Sequence, residues 1–406
     1  MKLLSLVSRF SASLLLLSAA GRADWPQYRG PLQNGVSTEK GFNAAAANAP
    51  AVLWKTNVGK GISSVTVLGG RAYTMGNTNG TDNVCCFDAR SGREIWRQQF
   101  TVSLDPKLFE GGPRSTPSVD GSRVYVVSHL GDLRCLEAAT GRKIWEHNFA
   151  RDFGGRRPDW GYSGSPLLTG TLVICDAGGP GASTVALDKL TGKVVWKSGS
   201  DEPGYATPVL AEVAGQPTVV SFRAEALVGC ELKSGKELWR FPWKTSYDIN
   251  AATPLFLGTD QIFISSGYGT GCALVQIARG QASQVWRNKN LRAHFNSPVA
   301  ANGSLYGIDG NAGGGNLVCL DAATGARRWE EKSVKGGAMI LADGKLLILT
   351  EKGELVICEA SPAGFHPLSR SRVLEHRCWA QPTLDAGRLY LRNNEGDMVC
   401  VDASAK

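Results

Sequence analysis

The sequence predicts an all-β protein, an eight-bladed propeller of four-stranded antiparallel blades. Three observations predict it: a tryptophan-bearing turn motif that recurs along the chain, short alternating apolar runs between its copies, and 49 glycines in 406 residues to supply the turns. Self-similarity at a fixed period is the signature of a repeat architecture.

The motif is an acid, two residues, Ser or Thr followed by Gly, and a Trp four residues on. It reads DARSGREIW from Asp88 through Gly92 to Trp96, and recurs at Glu137 to Trp145, Asp188 to Trp196, Glu231 to Trp239 and Asp321 to Trp329. Two units are degenerate. Ile277 stands for the acid before Trp286, and after Glu359 a longer segment replaces the short turn and leads to Leu374. Asp402 is a last acid with no Trp after it, while Trp54 is a Trp with no acid before it, so the two ends complete one repeat. Trp54 to Trp329 spans six intervals of about 46 residues, the length of a four-stranded blade.

Within the unit that ends at Trp145, the runs TPSVDG, RVYVVSH, LRCLEAA and KIWEHNF read as four strands separated by turns. The acid is expected to accept hydrogen bonds from turn amides, the Gly to supply a left-handed residue, and the Trp to fill the wedge between blades. Eight acids or replacements (Asp88, Glu137, Asp188, Glu231, Ile277, Asp321, Glu359, Asp402) give eight blades. The last blade is expected to join strands from about Thr383 to Ala403 with an outer strand around Trp54, because a closed ring leaves no open sheet edge.

Residues 1–23 read as a secretory signal peptide: Lys2 and Arg9, an apolar stretch around Leu14 to Leu17, then small residues ending at Ala23. The propeller is expected to fill residues 24–406. The apolar run is too short to span a bilayer, and no cysteine before Cys85 offers a lipid attachment site. The expected location is periplasmic or secreted, as a monomer. The formal charge of +8 falls by three, to +5, when Lys2, Arg9 and Arg22 leave with the peptide. Scattered charges of that size exclude a nucleic-acid stripe.

The ten cysteines read as buried apolar residues. Cys86, Cys135, Ala186, Gly229, Val275, Cys319, Ile357 and Cys400 occupy one repeat position, two before the acid, too far apart between blades to bridge. Cys85 and Cys86 lie inside a strand, which argues against a vicinal disulfide. His129, His147, His294, His366 and His376 lack metal-ligand spacing and read as surface or turn residues. No catalytic residue and no metal site is identified.

These units resemble the pyrroloquinoline-quinone (PQQ) propeller repeat, and the resemblance covers roughly residues 50 to 406. The outer-membrane assembly propeller BamB and the PQQ-dependent alcohol dehydrogenases share that architecture. The segments Trp25 to Pro31, Trp160 to Ser163 and His294 to Ser297 further resemble exported propellers of planctomycete and verrucomicrobial type. The resemblance makes PQQ a conceivable cofactor, but no metal ligand or base of the enzymes maps onto this chain.

The segments 151–163, 241–250 and 288–296 each precede an inner strand at Ser-Pro or Thr-Pro, so they are expected to meet on one face. Arg114, Trp160, Tyr162, Tyr205, Asn250, His294 and Asn296 are expected to ring the channel mouth there. The reading that follows is an exported, non-catalytic scaffold engaging a partner protein or small ligand of the cell envelope on that face. The alternatives are a PQQ-dependent dehydrogenase, or a carbohydrate-binding propeller with Trp160, Trp243 and Trp379 as exposed stacking platforms.

Overall fold

The computed structural model describes residues 24–105 and 109–405; the segment read as a signal peptide lies outside them. Alternating runs pair into eight sheets, each a meander with its first strand innermost. Blades 1 to 7 comprise residues 66–101, 118–148, 167–198, 209–242, 255–288, 299–335 and 338–372. Blade 8 joins Thr383–Asp385, Arg388–Arg392 and Asp397–Asp402 to the outer strand Val52–Asn57, with Trp54 opposite Cys400. The ring is closed by the two chain ends, as the orphan Trp54 predicts.

The repeat motif works as expected from its chemistry. Asp88 Oδ1 accepts from the amides of Arg90 and Ser91 and from the Ser91 hydroxyl, and Gly92 takes φ +72°. A β-carbon on Gly92 would sit 2.5 Å from the Trp54 ring of the neighbouring blade, so the glycine also lets the blades approach. Each repeat Trp lies against the next blade, and most anchor there by a hydrogen bond. Trp96 Nε1 donates to Ala138 O at 3.0 Å, Trp196 Nε1 to Leu232 O at 2.9 Å, and Trp286 Nε1 to Ala322 O at 3.2 Å. The acceptor is the residue after the next acid, except that Trp329 donates to Ser361 O, two residues after Glu359, and the tryptophan ring becomes a seam between blades.

Register corrects the two degenerate units. In blade 5 Trp286 faces Leu274, and the Ile277 amide makes the bond to Asp260 O that the residue after the acid makes elsewhere. Gln276, not Ile277, therefore holds the place of the acid, and Leu274, not Val275, the place two before it. The Gln276 amide donates to Ile277 O, the carbonyl that Trp239 would otherwise reach, and Trp239 Nε1 is buried with no partner among the described residues. In blade 7 Ser369, not Leu374, faces Ile357 in the Trp position. The wedge left by that small side chain is filled from outside the repeat. Phe42, Ala46 and Ala47 enter the core between blades 7 and 8, and Ser369 Oγ donates to Ala44 O at 2.6 Å.

Those residues belong to an N-terminal strap that the repeat pattern does not reveal. Trp25 pairs with Val67 of blade 1, Pro26 O accepts from Val119 of blade 2, Gln33 accepts from Leu210 of blade 4, and Val36 and Ser37 run parallel to Leu341 and Ala342 of blade 7. Arg29 is fully buried and donates to Ser297 O and Pro298 O before blade 6 and to Gln33 O and Asn34 O of its own turn. The strap crosses the channel along the innermost strands and closes one end of it.

All ten cysteines are buried and free. Cys85 faces the core shared with Trp54, while Cys86 faces the one shared with Trp96, so alternation sends the vicinal pair to opposite sides of their strand.

Candidate functional site

The channel is a cup. Its floor includes Tyr28 of the strap, and it holds roughly 1000 Å³ of space open at the mouth. The wall is laid down by the residues that begin the innermost strands, most of them Ser-Pro or Thr-Pro pairs. Here each backbone amide donates to the hydroxyl of the next blade: Gln381 to Ser64 at 2.9 Å, Ser64 to Thr116 at 3.0 Å, Thr116 to Ser165 at 2.9 Å and Ser165 to Thr207 at 3.0 Å. Across the channel Thr253 donates to Ser297 at 2.8 Å. Hydroxyls at these positions satisfy amides that the innermost strand ends leave without a sheet partner.

Above this girdle stands a collar of rings in consecutive contact. Tyr205 meets Trp160 (6.1 Å between centroids), Trp160 meets Tyr247 (6.2 Å), Tyr247 meets Tyr268 (5.7 Å) and Tyr268 meets His294 (5.1 Å). The arc continues through Phe295 (5.0 Å) and Trp379 (4.9 Å) to Phe109 (4.9 Å), mostly edge to face. Arg377 stacks on both Trp379 and Phe109 and pairs with Glu110 at 2.7 Å, which closes the arc with an ion pair. Tyr247 and Asp248 hold left-handed backbone, φ +62° and +55°, where their loop turns the Tyr247 ring into the collar.

Of the residues expected at the mouth, Arg114, Trp160, Tyr205, His294 and Asn296 line the cup together. Tyr162 and Asn250 do not. Tyr162 lies two residues past Trp160 and turns into the core, its hydroxyl donating to Ala177 O at 3.0 Å. Asn250 is buried, its amide donating to Arg223 O, Ala224 O and Trp243 O while its Oδ1 accepts from Ser266. Both hold loops in place. Trp243 and Trp379 are not exposed platforms: Trp243 is buried under the Arg287 guanidinium, and Trp379 is folded into the collar. His129 is a buried residue rather than a surface one, and burial beside Arg114 and Arg157 pushes its pKa down to about 4. His294 is likewise held near 4 by burial, which leaves the ring neutral at physiological pH. Tyr28, Phe109 and Tyr268 were not anticipated at the cup, because they come from loops and strap with no repeat spacing; Phe295 lies in the 288–296 segment, and Trp379, expected as an exposed platform, lines the cup with them.

Arg114 is the one charged side chain among the described residues that line the cup, and no carboxylate lines it. Burial lowers its pKa to about 10, which still leaves it charged near neutrality. A quinone tricarboxylate held over a metal ion requires several cationic partners and oxygen ligands for the metal. One guanidinium within an aromatic wall does not fit that group, and among the described residues no cluster of His, Cys, Asp and Glu could hold a metal ion.

The family model described as outer membrane protein assembly factor BamB matches residues 40–108 and 80–331. A curated BamB of Burkholderia pseudomallei (strain K96243) is 24% identical over 341 residues, covering 74% of this chain and 86% of its own. Among solved structures, BamB from Moraxella catarrhalis superposes with a TM-score of 0.65 at 16% identity, over 87% of this chain and 100% of that one. The quinohemoprotein alcohol dehydrogenase ADHIIG from Pseudomonas putida HK5 gives 0.63 at 12% identity, over 95% and 81%. At these identities the solved structures establish the shared propeller alone. With the family model spanning most of the ring, the chain belongs to the PQQ-like propeller family described as outer membrane protein assembly factor BamB.

Proposed function

We propose that this chain is an exported scaffold propeller that docks a protein partner of the cell envelope on its cup face. The observation that carries the reading is the collar: eight rings, Tyr247 among them at 64% exposure, gathered on the open end of a channel whose other end the strap closes. Exposed aromatic clusters of this kind anchor protein interfaces, and the relatives' name, an assembly factor of the outer membrane, supports a partner in the envelope. Export rests on the leader-like residues 1–23. Among the described residues that line the cup none is a carboxylate.

The test is affinity capture from the native envelope fraction with wild-type protein and a Trp160→Ala, Tyr247→Ala double variant, read by mass spectrometry. One or a few envelope proteins retained by wild type and lost with the variant would support docking at the collar. Identical partner lists for both would remove it.

A further inference from the structure

We propose that the cup is a binding site for one neutral sugar, free or at the end of a glycan, its ring stacked among Trp160, Phe295 and Trp379 and its hydroxyls paired with the girdle. The girdle carries the first part of this. Ser64, Ser165, Thr207 and Ser297 line the cup, and each hydroxyl oxygen accepts a backbone amide from the neighbouring blade. None of these hydroxyls has an acceptor for its own proton among the described residues, so the girdle is a ring of O–H donors with their bonds unspent. Three further polar atoms on the same wall have no hydrogen-bond partner among the described residues: Thr253 Oγ1, Trp379 Nε1 and Gln381 Oε1, from residues at most 7% exposed. Buried polar atoms are rarely left so in a finished core. Together these groups offer several donors and one amide carbonyl, and a polyol answers both because every hydroxyl accepts as well as donates.

The rest of the wall selects the ring and its charge. The collar, with Ile62, Ile249 and Met339 beside it, supplies apolar surface for the C–H face of a sugar ring. His294 is neutral, and the charge of Arg114 already lies in the field of the Glu110 and Asp105 carboxylates, so nothing in the wall calls for a charged occupant. An arene without hydroxyls would leave the girdle and the three orphaned atoms unpaired. The strap, with Tyr28 in the floor, closes the other end of the channel, so a free sugar or a chain end fits and a polymer running through does not. The inference goes beyond the docking proposal and is read on purified protein with no partner present.

An array of immobilised glycans that end in neutral hexoses, N-acetylhexosamines, deoxyhexoses, uronic acids or sialic acids tests it, probed with the purified protein. Wild type should hold one or a few neutral termini. Thr253→Val keeps the shape and removes a hydroxyl that is unpaired among the described residues. It should melt like wild type and bind those termini about fivefold more weakly, the loss of one hydrogen bond. Phe295→Ala, which removes a stacking ring, should weaken them too. Competition by the free monosaccharide, or only by an oligosaccharide ending in it, tells a free sugar from a glycan end, and either supports the site. No retained glycan, a preference for acidic termini, recognition of internal residues alone, or unchanged binding by either variant would overturn the assignment. If Thr253→Val does not fold, the terminus preference of wild type and the loss in Phe295→Ala decide.

Discussion

Ser369 and Ala44, 325 residues apart in sequence, are joined by a 2.6 Å hydrogen bond from the Ser369 hydroxyl to the Ala44 carbonyl. Ser369 stands where other blades carry a Trp, and Phe42 to Ala47 of the strap occupy the wedge that ring would fill. One small residue thus makes room for a chain segment that also closes the channel. Phe42→Ala should lower stability by about 3 kcal/mol, as expected for a buried aromatic, and Ser369→Ala by about 1. Ser369→Trp, although it restores the repeat consensus, should destabilise by overpacking against the seated strap. Denaturant melts of the three variants check this; a stabilised Ser369→Trp would show that the strap does not fill the wedge.

The seams between blades give a sharper comparison. Trp196 and Trp239 are similarly buried and lie on adjacent blades, but Trp196 Nε1 donates to Leu232 O while Trp239 Nε1 has no partner among the described residues. Replacing either by Phe trims comparable ring area. Trp196→Phe should therefore cost about 1 kcal/mol more than Trp239→Phe, the net worth of one hydrogen bond and the carbonyl it satisfies. Equal losses would mean that the seam rests on packing alone.

These two seams also show what the sequence reveals of the fold. The acid, the Gly and the Trp are legible because each acts within a few residues of its neighbours in a turn. Gln276 was hidden because the blade 5 hairpin turns at Arg279-Gly280, which moves Trp286 two places further from the acid position than in other units. The strap is illegible for a different reason: its partners lie in six blades, and nothing local in Trp25 to Ser37 encodes which. At the site, Ser-Pro and Thr-Pro pairs marked where most innermost strands begin, and the loops before them meet at the cup. They did not separate Trp160, which looks into the cup, from Tyr162, which looks away, because irregular loops carry no fixed period.

Asp82 links the fold to pH. Burial pushes its carboxyl up to about 7; one oxygen accepts from Asn77 at 2.7 Å and the other is buried without a partner among the described residues. A carboxyl whose pKa is raised on folding binds its proton more tightly in the native state. Stability is therefore greatest below the unfolded value, near 4, and declines as pH rises towards about 7. Asp82→Asn, which cannot ionise, should remove that decline and gain on the order of 1–3 kcal/mol relative to wild type at pH 8, with little change at pH 4. Parallel melting curves against pH for the two proteins would refute the assignment.

The strap should depend on Arg29 more than on any other single side chain. Its guanidinium is wholly buried, yet burial lowers its pKa only to about 10, so it is charged at pH 7 and rests on four backbone carbonyls in a fixed fork. Two of those carbonyls, Ser297 O and Pro298 O, belong to the segment entering blade 6, and the other two hold the turn at Gln33 and Asn34. Arg29→Met leaves all four without this donor and should cost about 2–4 kcal/mol. Arg29→Lys keeps the charge but not the planar fork, and a shorter, rounder ammonium cannot span both sets of acceptors, so it should lose nearly as much. Gly35 provides the independent check. Its φ of +76° and a β-carbon position 2.9 Å from Val299 and 3.3 Å from Arg29 predict that Gly35→Ala unseats the same turn. Limited proteolysis with mass mapping should then find cleavage before Lys40 in all three variants while the blades stay intact, and a strap as protected as in wild type would show that Arg29 does not hold it.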